Sequence, residues 1–260
     1  MSSFTHQVSK GSRFNQIYIP KNKEGEFEVG DIVQVKLVSK KNKLYYSKNL
    51  QKLSPFKEKI IQEIFSEVSK FREVKQVFIF GSFLTKKIDY NDIDIILISD
   101  NEKIEEKVYD GLIERLNLKF HVVSFKGEGL EKQLRISPVL RSMFYYFVSN
   151  KPFSVSKEKE IDVNHIKYLI WFPEDLLKVE LDSENFYESL RRLICAEYFL
   201  KDKDIAPDKI DEVIKDDIED YLWERIKDNR KITADSIKKI RELMGKKLKV
   251  IKGLINDEQK

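Results

Sequence analysis

The stretch Val77-Phe78-Ile79-Phe80-Gly81-Ser82, followed nine residues later by Asp92-Ile93-Asp94-Ile95-Ile96-Leu97, decides how this chain is read. Four apolar residues running into a Gly-Ser pair describe a buried strand that ends in a turn. The second half is a strand that is polar only at its entrance. Residues i and i+2 of a strand project from one face, so Asp92 and Asp94 present two carboxylates together while Ile93 enters the core. Clustered carboxylates repel unless they are compensated, and a hard divalent cation such as Mg²⁺ prefers oxygen ligands. The glycine lets backbone N–H groups approach an anion with no Cβ in the way, and Ser82 adds a hydroxyl donor for a phosphate oxygen. The plainer alternative is a solvated strand end beside an ordinary turn.

Outward from this stretch the chain alternates. Ser54-Pro55 has the chemistry of an N-cap followed by a first helical residue, and Ile60, Ile61, Ile64, Phe65 and Val68 recur at helical spacing through Lys70. Strand 77–80, strand 93–98, helix 104–116 and strand 118–125 then form an α/β unit. Beyond Ser137-Pro138 the chain reads as helical: 139–150 (VLRSMFYYFVSN) as a buried helix, and 186–200, 210–226 and 237–255 as amphipathic segments. The first fifty residues read as β structure, with candidate strands at Ser12–Pro20, Phe27–Val38 and Leu44–Tyr46. No fixed-period repeat occurs, which disfavours a solenoid.

Composition bounds the function. Hydrophobic residues make up 41% and aromatics 12% of 260 residues, enough to bury real cores. The net charge is +4, but residues 1–54 carry ten Lys/Arg against four Asp/Glu, so the positive charge gathers at the N-terminal end. One cysteine, Cys195, excludes an internal disulfide framework, and no Cys/His cluster has zinc spacing. Met1–Lys10 lacks the apolar core of a signal peptide and no apolar run suits a membrane helix, so a cytoplasmic protein with no membrane partner is expected.

The Gly-Ser turn, the nine-residue spacing and Asp-Ile-Asp-Ile resemble the signature of the polymerase-β-like minimal nucleotidyltransferases, over about 77–125. The resemblance implies that Gly81 and Ser82 grip an NTP triphosphate and that Asp92 and Asp94 bind Mg²⁺ or Mn²⁺. The family's third carboxylate sits mid-strand on the next long strand. Here that strand is 118–125 and His121 stands at the position, either as a replacement proton acceptor and weak metal ligand or as the mark of a lost base. Asp110, Glu114 and Glu128 are fallback carboxylates. Lys86 and Lys87, between the motif halves, are candidate nucleotide-binding residues; Arg135, Arg141 and Tyr145–Phe147 are further candidates more simply read as surface or core. Ile19-Pro20-Lys21 and Gly30-Asp31 resemble the AbrB-like swapped-hairpin family over about 12–38, with a shortened centre; a plain small barrel or hairpin is the alternative. Small nucleotidyltransferases often pair with helical HEPN partners, but that ribonuclease signature needs Arg and His about five to seven residues apart on one helix, and Arg191-Arg192 have no such His and His165 no such Arg.

The expected protein is therefore α+β in three parts: a basic β-rich module (1–53), an α/β nucleotidyltransferase domain with a mixed sheet (54–136) and an all-helical domain (137–260). The expected function is Mg²⁺-dependent transfer of an NMP group from an NTP to a hydroxyl on RNA, protein or a small molecule. Asp92, Asp94 and His121 are the expected catalytic residues. The alternative is a catalytically degenerate fold acting as a nucleic-acid-binding, regulatory or toxin–antitoxin-type protein. The basic module suggests nucleic-acid contact, and the helical part suggests a homo-oligomer or a helical protein partner.

Overall fold

The computed structural model describes residues 4–23, 25–36, 42–85, 90–101, 103–179 and 183–258. The chain divides into two compact units, 1–40 and 41–260. In the first unit, β1 (Ser9–Lys10) pairs antiparallel with β2 (Asn15–Gln16), with Ser9 opposite Gln16. None of the described residues 4–36 is buried, and Phe14, Tyr18, Val29, Ile32 and Val35 are exposed. The strand expected at Phe27–Val38 does not form over 27–36, while 37 and 38 lie outside the described residues. β-Propensity expresses itself only where a pleated face packs against something, and among the described residues of this unit no apolar layer forms.

The second unit is α+β. Its sheet has five strands in the order β3 (Tyr45–Tyr46), β7 (Phe147–Ser149), β4 (Val74–Phe80), β5 (Ile93–Ser99) and β6 (Phe120–Phe125). Only the β5–β6 pair is parallel. One face of the sheet is covered by α1 (Pro55–Val68) and α2 (Ile104–Leu116). There Val77, Ile79, Ile93, Ile95 and Leu97 pack against Ile61, Ile64, Val108 and Leu112. Ser54 caps α1 through its Oγ, which accepts from Lys57 N at 3.3 Å, and Pro55 opens the helix. The opposite face carries Phe78, Phe80 and Ile96 beneath α3 (Gly129–Ile136) and α4 (Pro138–Met143), through Leu130, Leu134 and Phe144. This alternation is what two faces buried at period two require, each large side chain contributing about 1.5–3 kcal/mol.

The sheet moves two expected boundaries. Tyr45–Tyr46, expected in the N-terminal module, pairs with β7, and the segment expected as a buried helix over 139–150 breaks after Met143 to supply β7. β7 fills the open edge of β4, setting Phe147 opposite Phe80. Ladder bonds to an otherwise bare edge, together with burial of Phe147 and Val148, outweigh local helical preference. Boundaries after 53 and 136 thus cut through a single sheet.

The remaining elements are α5 (Val163–Leu176), α6 (Ser183–Leu200), α7 (Pro207–Asp217), α8 (Asp220–Lys227) and α9 (Ala234–Glu258), around a core of Ile166, Phe186, Leu190, Ile194, Ile214, Met244 and Ile251. The segment expected as one helix over 210–226 is two, because Ile218 is extended. Asp216 and Asp217 place negative charge at a C-terminus, where the helix dipole opposes it. Among the described residues no helix is long and apolar enough to cross a membrane.

Candidate functional site

The motif residues meet at one end of the sheet. β4 runs toward Gly81, β5 and β6 start there, and β7 starts there too, since Phe80 faces Asp94 on one side and Phe147 on the other. Alternation puts Asp94 on the Phe80/Ile96 face, and the parallel register sets His121 directly beside it. Asp92 precedes the strand by one residue and is half-buried, while Asp94 is buried.

Gly81 is obligatory in this geometry. Its φ of 80° and ψ of −158° belong to a region that essentially only glycine occupies. A Cβ added there would lie 2.2 Å from Asp94 Oδ2, so the carboxylate occupies the space that a side chain would need. Ser82 is exposed and opens a single 3₁₀ turn, Ser82–Leu84, in which Ser82 O accepts from Thr85 N at 3.0 Å and Thr85 Oγ1 at 2.8 Å.

The other carboxylate oxygen, Asp94 Oδ1, lies 3.1 Å from His121 Nδ1. Against an ionised carboxylate, which only accepts, this is an N–H donated by Nδ1; in the neutral ring that tautomer leaves Nε2 with the lone pair. Burial pushes the Asp94 carboxyl above its usual range; the His121 hydrogen bond opposes this, the Asp92 charge adds to it, and the charges of His121 and Arg191 pull it down. Burial wins, so an uncompensated Asp94 carboxylate is held at a disadvantage that a bound cation would remove.

The remaining sequence candidates separate. Lys86 and Lys87 lie outside the described residues. Asp110 and Glu114 are exposed on α2, which covers the opposite face, and Glu128 lies beyond the far end of β6. Arg141 is spent on backbone carbonyls, donating to Glu158 O at 2.9 Å and Ser156 O at 2.7 Å; Arg135 lies 3.9 Å from Glu158. Phe147 is core, whereas Tyr146 donates to Asp208 Oδ2 at 2.8 Å, its hydroxyl pushed up to about 12 by burial and by that bond.

Two residues near the site are not legible from the motif. Arg191 on α6 is close enough for its charge to act on Asp94, and is held by Glu188 Oε1 at 3.6 Å. Lys57 on α1 reaches the loop that joins the motif halves. Neither has a sequence signal, because a helix some hundred residues downstream and one turn of a cap carry no motif. Among the described residues no group of three or more His, Cys, Asp or Glu side chains is gathered as a metal cage. Comparison with protein-family models, with curated proteins and with solved structures finds no match.

Proposed function

We propose that this chain is a divergent Mg²⁺-dependent nucleotidyltransferase whose site is Gly81, Ser82, Asp92, Asp94 and His121. The observation that carries the reading is the contact of a Gly-only turn with a buried carboxylate that is itself beside an oriented imidazole. A stable core has no need of any of the three. Mg²⁺ is commonly held by one or two carboxylates together with substrate phosphates, so Asp94 against the Gly81 turn, with Asp92 two residues before it, fits the ion without a closed protein cage. Asp92 and Asp94 would hold the ion, which supplies charge neutralisation of the triphosphate.

The chain's own residues do the rest. The Gly81-Ser82 turn receives the triphosphate, with the Ser82 hydroxyl as a donor. The acceptor hydroxyl oxygen attacks the α-phosphorus, the bond from that phosphorus to the bridging oxygen breaks, and pyrophosphate leaves. The hydroxyl proton goes to His121 Nε2, while Asp94 Oδ1 keeps Nδ1 protonated and the ring oriented. Acceptors of the class are RNA, protein or small-molecule hydroxyls.

The same His121–Asp94 bond favours a second reading, because a carboxylate engaged by an imidazole is a weaker ligand for a cation: a retained fold that binds without transferring. Incubation with α-labelled NTPs, Mg²⁺ and a cell extract separates the two. Label transferred by the wild type and lost in Asp92→Asn/Asp94→Asn supports the enzyme. NTP binding with no transfer supports the second reading, and neither binding nor transfer sinks both.

A further inference from the structure

Lys57 is the one basic side chain of α1 that is buried among the described residues, at 7% exposure. A buried ammonium needs a reason, since burial disfavours its charge and lowers its pKa. Its Nζ donates to Thr85 O at 2.8 Å. It also lies 5.4 Å from the centre of the Phe83 ring and 5.7 Å from that of Tyr90, where the ring faces attract a cation. Phe83 and Tyr90 meet edge to face at 4.9 Å, and Phe83 is fully buried. Thr85 in turn bonds back to Ser82 O through both its N–H and its hydroxyl.

These contacts share a geometry. Phe83 and Thr85 lie just after the Gly81-Ser82 turn, and Tyr90 lies two residues before Asp92. One ammonium therefore grips both ends of the segment that joins the halves of the site. The Lys57 backbone is fixed as well, because its N–H is the donor to the Ser54 cap. The anchor is thus rooted in the first turn of a helix whose Ile60, Ile61 and Ile64 are locked in the core.

We propose that Lys57 is a positioning residue: it ties α1 to both ends of the 82–90 segment and so sets the Gly81-Ser82 turn against Asp92 and Asp94. The anchoring itself follows from the contacts alone; its consequence for ligand binding rests on the nucleotidyltransferase reading. A charge-assisted hydrogen bond fixes the carbonyl of Thr85 in place, and small misplacements of binding groups are expensive in affinity. Lys57→Met keeps the apolar stem and deletes the ammonium; Lys57→Arg keeps charge and donors.

The test measures hydrogen exchange at the Phe83–Thr85 amides and, separately, the affinity for Mg²⁺·ATP by calorimetry, in the full chain. In Lys57→Met, exchange at these amides rises about tenfold while the α1 core amides stay protected, and affinity for Mg²⁺·ATP falls about tenfold or more. Lys57→Arg recovers most of both, which a loss of general stability would not allow. Unchanged exchange in Lys57→Met overturns the anchor. Raised exchange with undiminished Mg²⁺·ATP affinity overturns the positioning role. Raised exchange in the variant, with no Mg²⁺·ATP binding by the wild type, leaves the anchor standing and overturns the nucleotidyltransferase reading instead. Should Lys57→Met not fold, Lys57→Gln, which keeps a donor without the charge, is compared with Lys57→Arg on the same two measurements.

Discussion

At the scale of single residues, Gly81 and Asp94 form one object. A Gly81→Ala substitution meets two penalties, a backbone conformation that costs about 1–3 kcal/mol for other residues and a Cβ placed 2.2 Å from Asp94 Oδ2. Only the second depends on Asp94. The expected result is a strongly lowered melting temperature for Gly81→Ala and a smaller further loss in an Asp94→Ala background, read by a double-mutant cycle. Strict additivity would refute the contact. Asp94 also carries a pH signature. Its carboxyl is held above the ordinary aspartate range, chiefly by burial. A group whose folded pKa is raised contributes stability that is full below the unfolded value and is lost as pH rises through the folded one. Asp94→Asn without metal is therefore at least as stable as the wild type at pH 7, an advantage that disappears at pH values below about 4 in thermal melts. His121 is tested by exchange of chemistry: His121→Ala lowers transfer by about 10²–10⁴-fold, the worth of a positioned base, while His121→Asp retains or improves it. A wild-type rate in His121→Ala would remove it from the mechanism.

At the scale of elements, what holds the helices of the C-terminal core to one another is a charge network as well as apolar packing. Glu197 on α6 bonds Lys201, just past the end of that helix, at 2.6 Å and lies 3.3 Å from Lys247 on α9, which also reaches Asp217 at the end of α7 at 3.0 Å. Burial alone would raise the Glu197 carboxyl; the Lys201 hydrogen bond and the Lys247 charge together outweigh it and hold the group below the ordinary glutamate range. A depressed carboxyl contributes stability above the unfolded pKa that is lost as pH falls through the folded value. Glu197→Gln should thus destabilise at pH 7 by about 1–3 kcal/mol, because Lys247 loses a partner while largely buried, and the difference should shrink below pH 4. Denaturant melts at the two pH values check the sign. A loss equal at both would mean that packing, and not charge, is what the substitution removes.

For the whole molecule, every buried residue among those described lies at or beyond Leu53, and the partly buried Leu44 and Leu50 pack on the same core. A chain beginning at 42 should keep its cooperative melt within a few degrees of the full protein. One beginning at 54 loses β3 with its ladder to β7, together with the Leu44, Leu50 and Leu53 contacts, and should melt lower. Equal melting of the two shortened chains would contradict the sheet assignment. Comparison of the full chain with the chain beginning at 42 also tests the nucleic-acid proposal for the basic N-terminal segment. Phosphate contacts release counterions, so affinity for RNA or DNA should fall steeply with salt in the full chain and drop when the segment is removed. Identical gel-shift titrations would retire that proposal.

The sequence by itself determined the local elements whose signals are local. The apolar run 77–80 into Gly81, the strand read at 93–98, the Ser54-Pro55 cap and the 3.6-residue pattern of α1 each depend on neighbours a few residues away, and the structure has β4, β5 and α1 over those residues. The placement of Asp94 on the face opposite Ile93 and Ile95 follows from strand geometry in the same way. Tertiary structure alone decided which distant residues share that face. His121 stands beside Asp94 only because β6 pairs parallel with β5 in one register, and a shift of one residue would have turned it to the α2 side. Phe147–Ser149 became sheet because an edge of β4 needed a partner, a requirement that no local window carries, and the strand read at Leu44–Tyr46 found its partner in β7 only through that pairing. Lys57 and Arg191 entered the neighbourhood of the site for a similar reason. Hydrogen bonds and Coulomb fields act across space, while motifs are written along the chain, so residues that serve a site from a helix cap or a later helix leave no pattern beside the residues they serve.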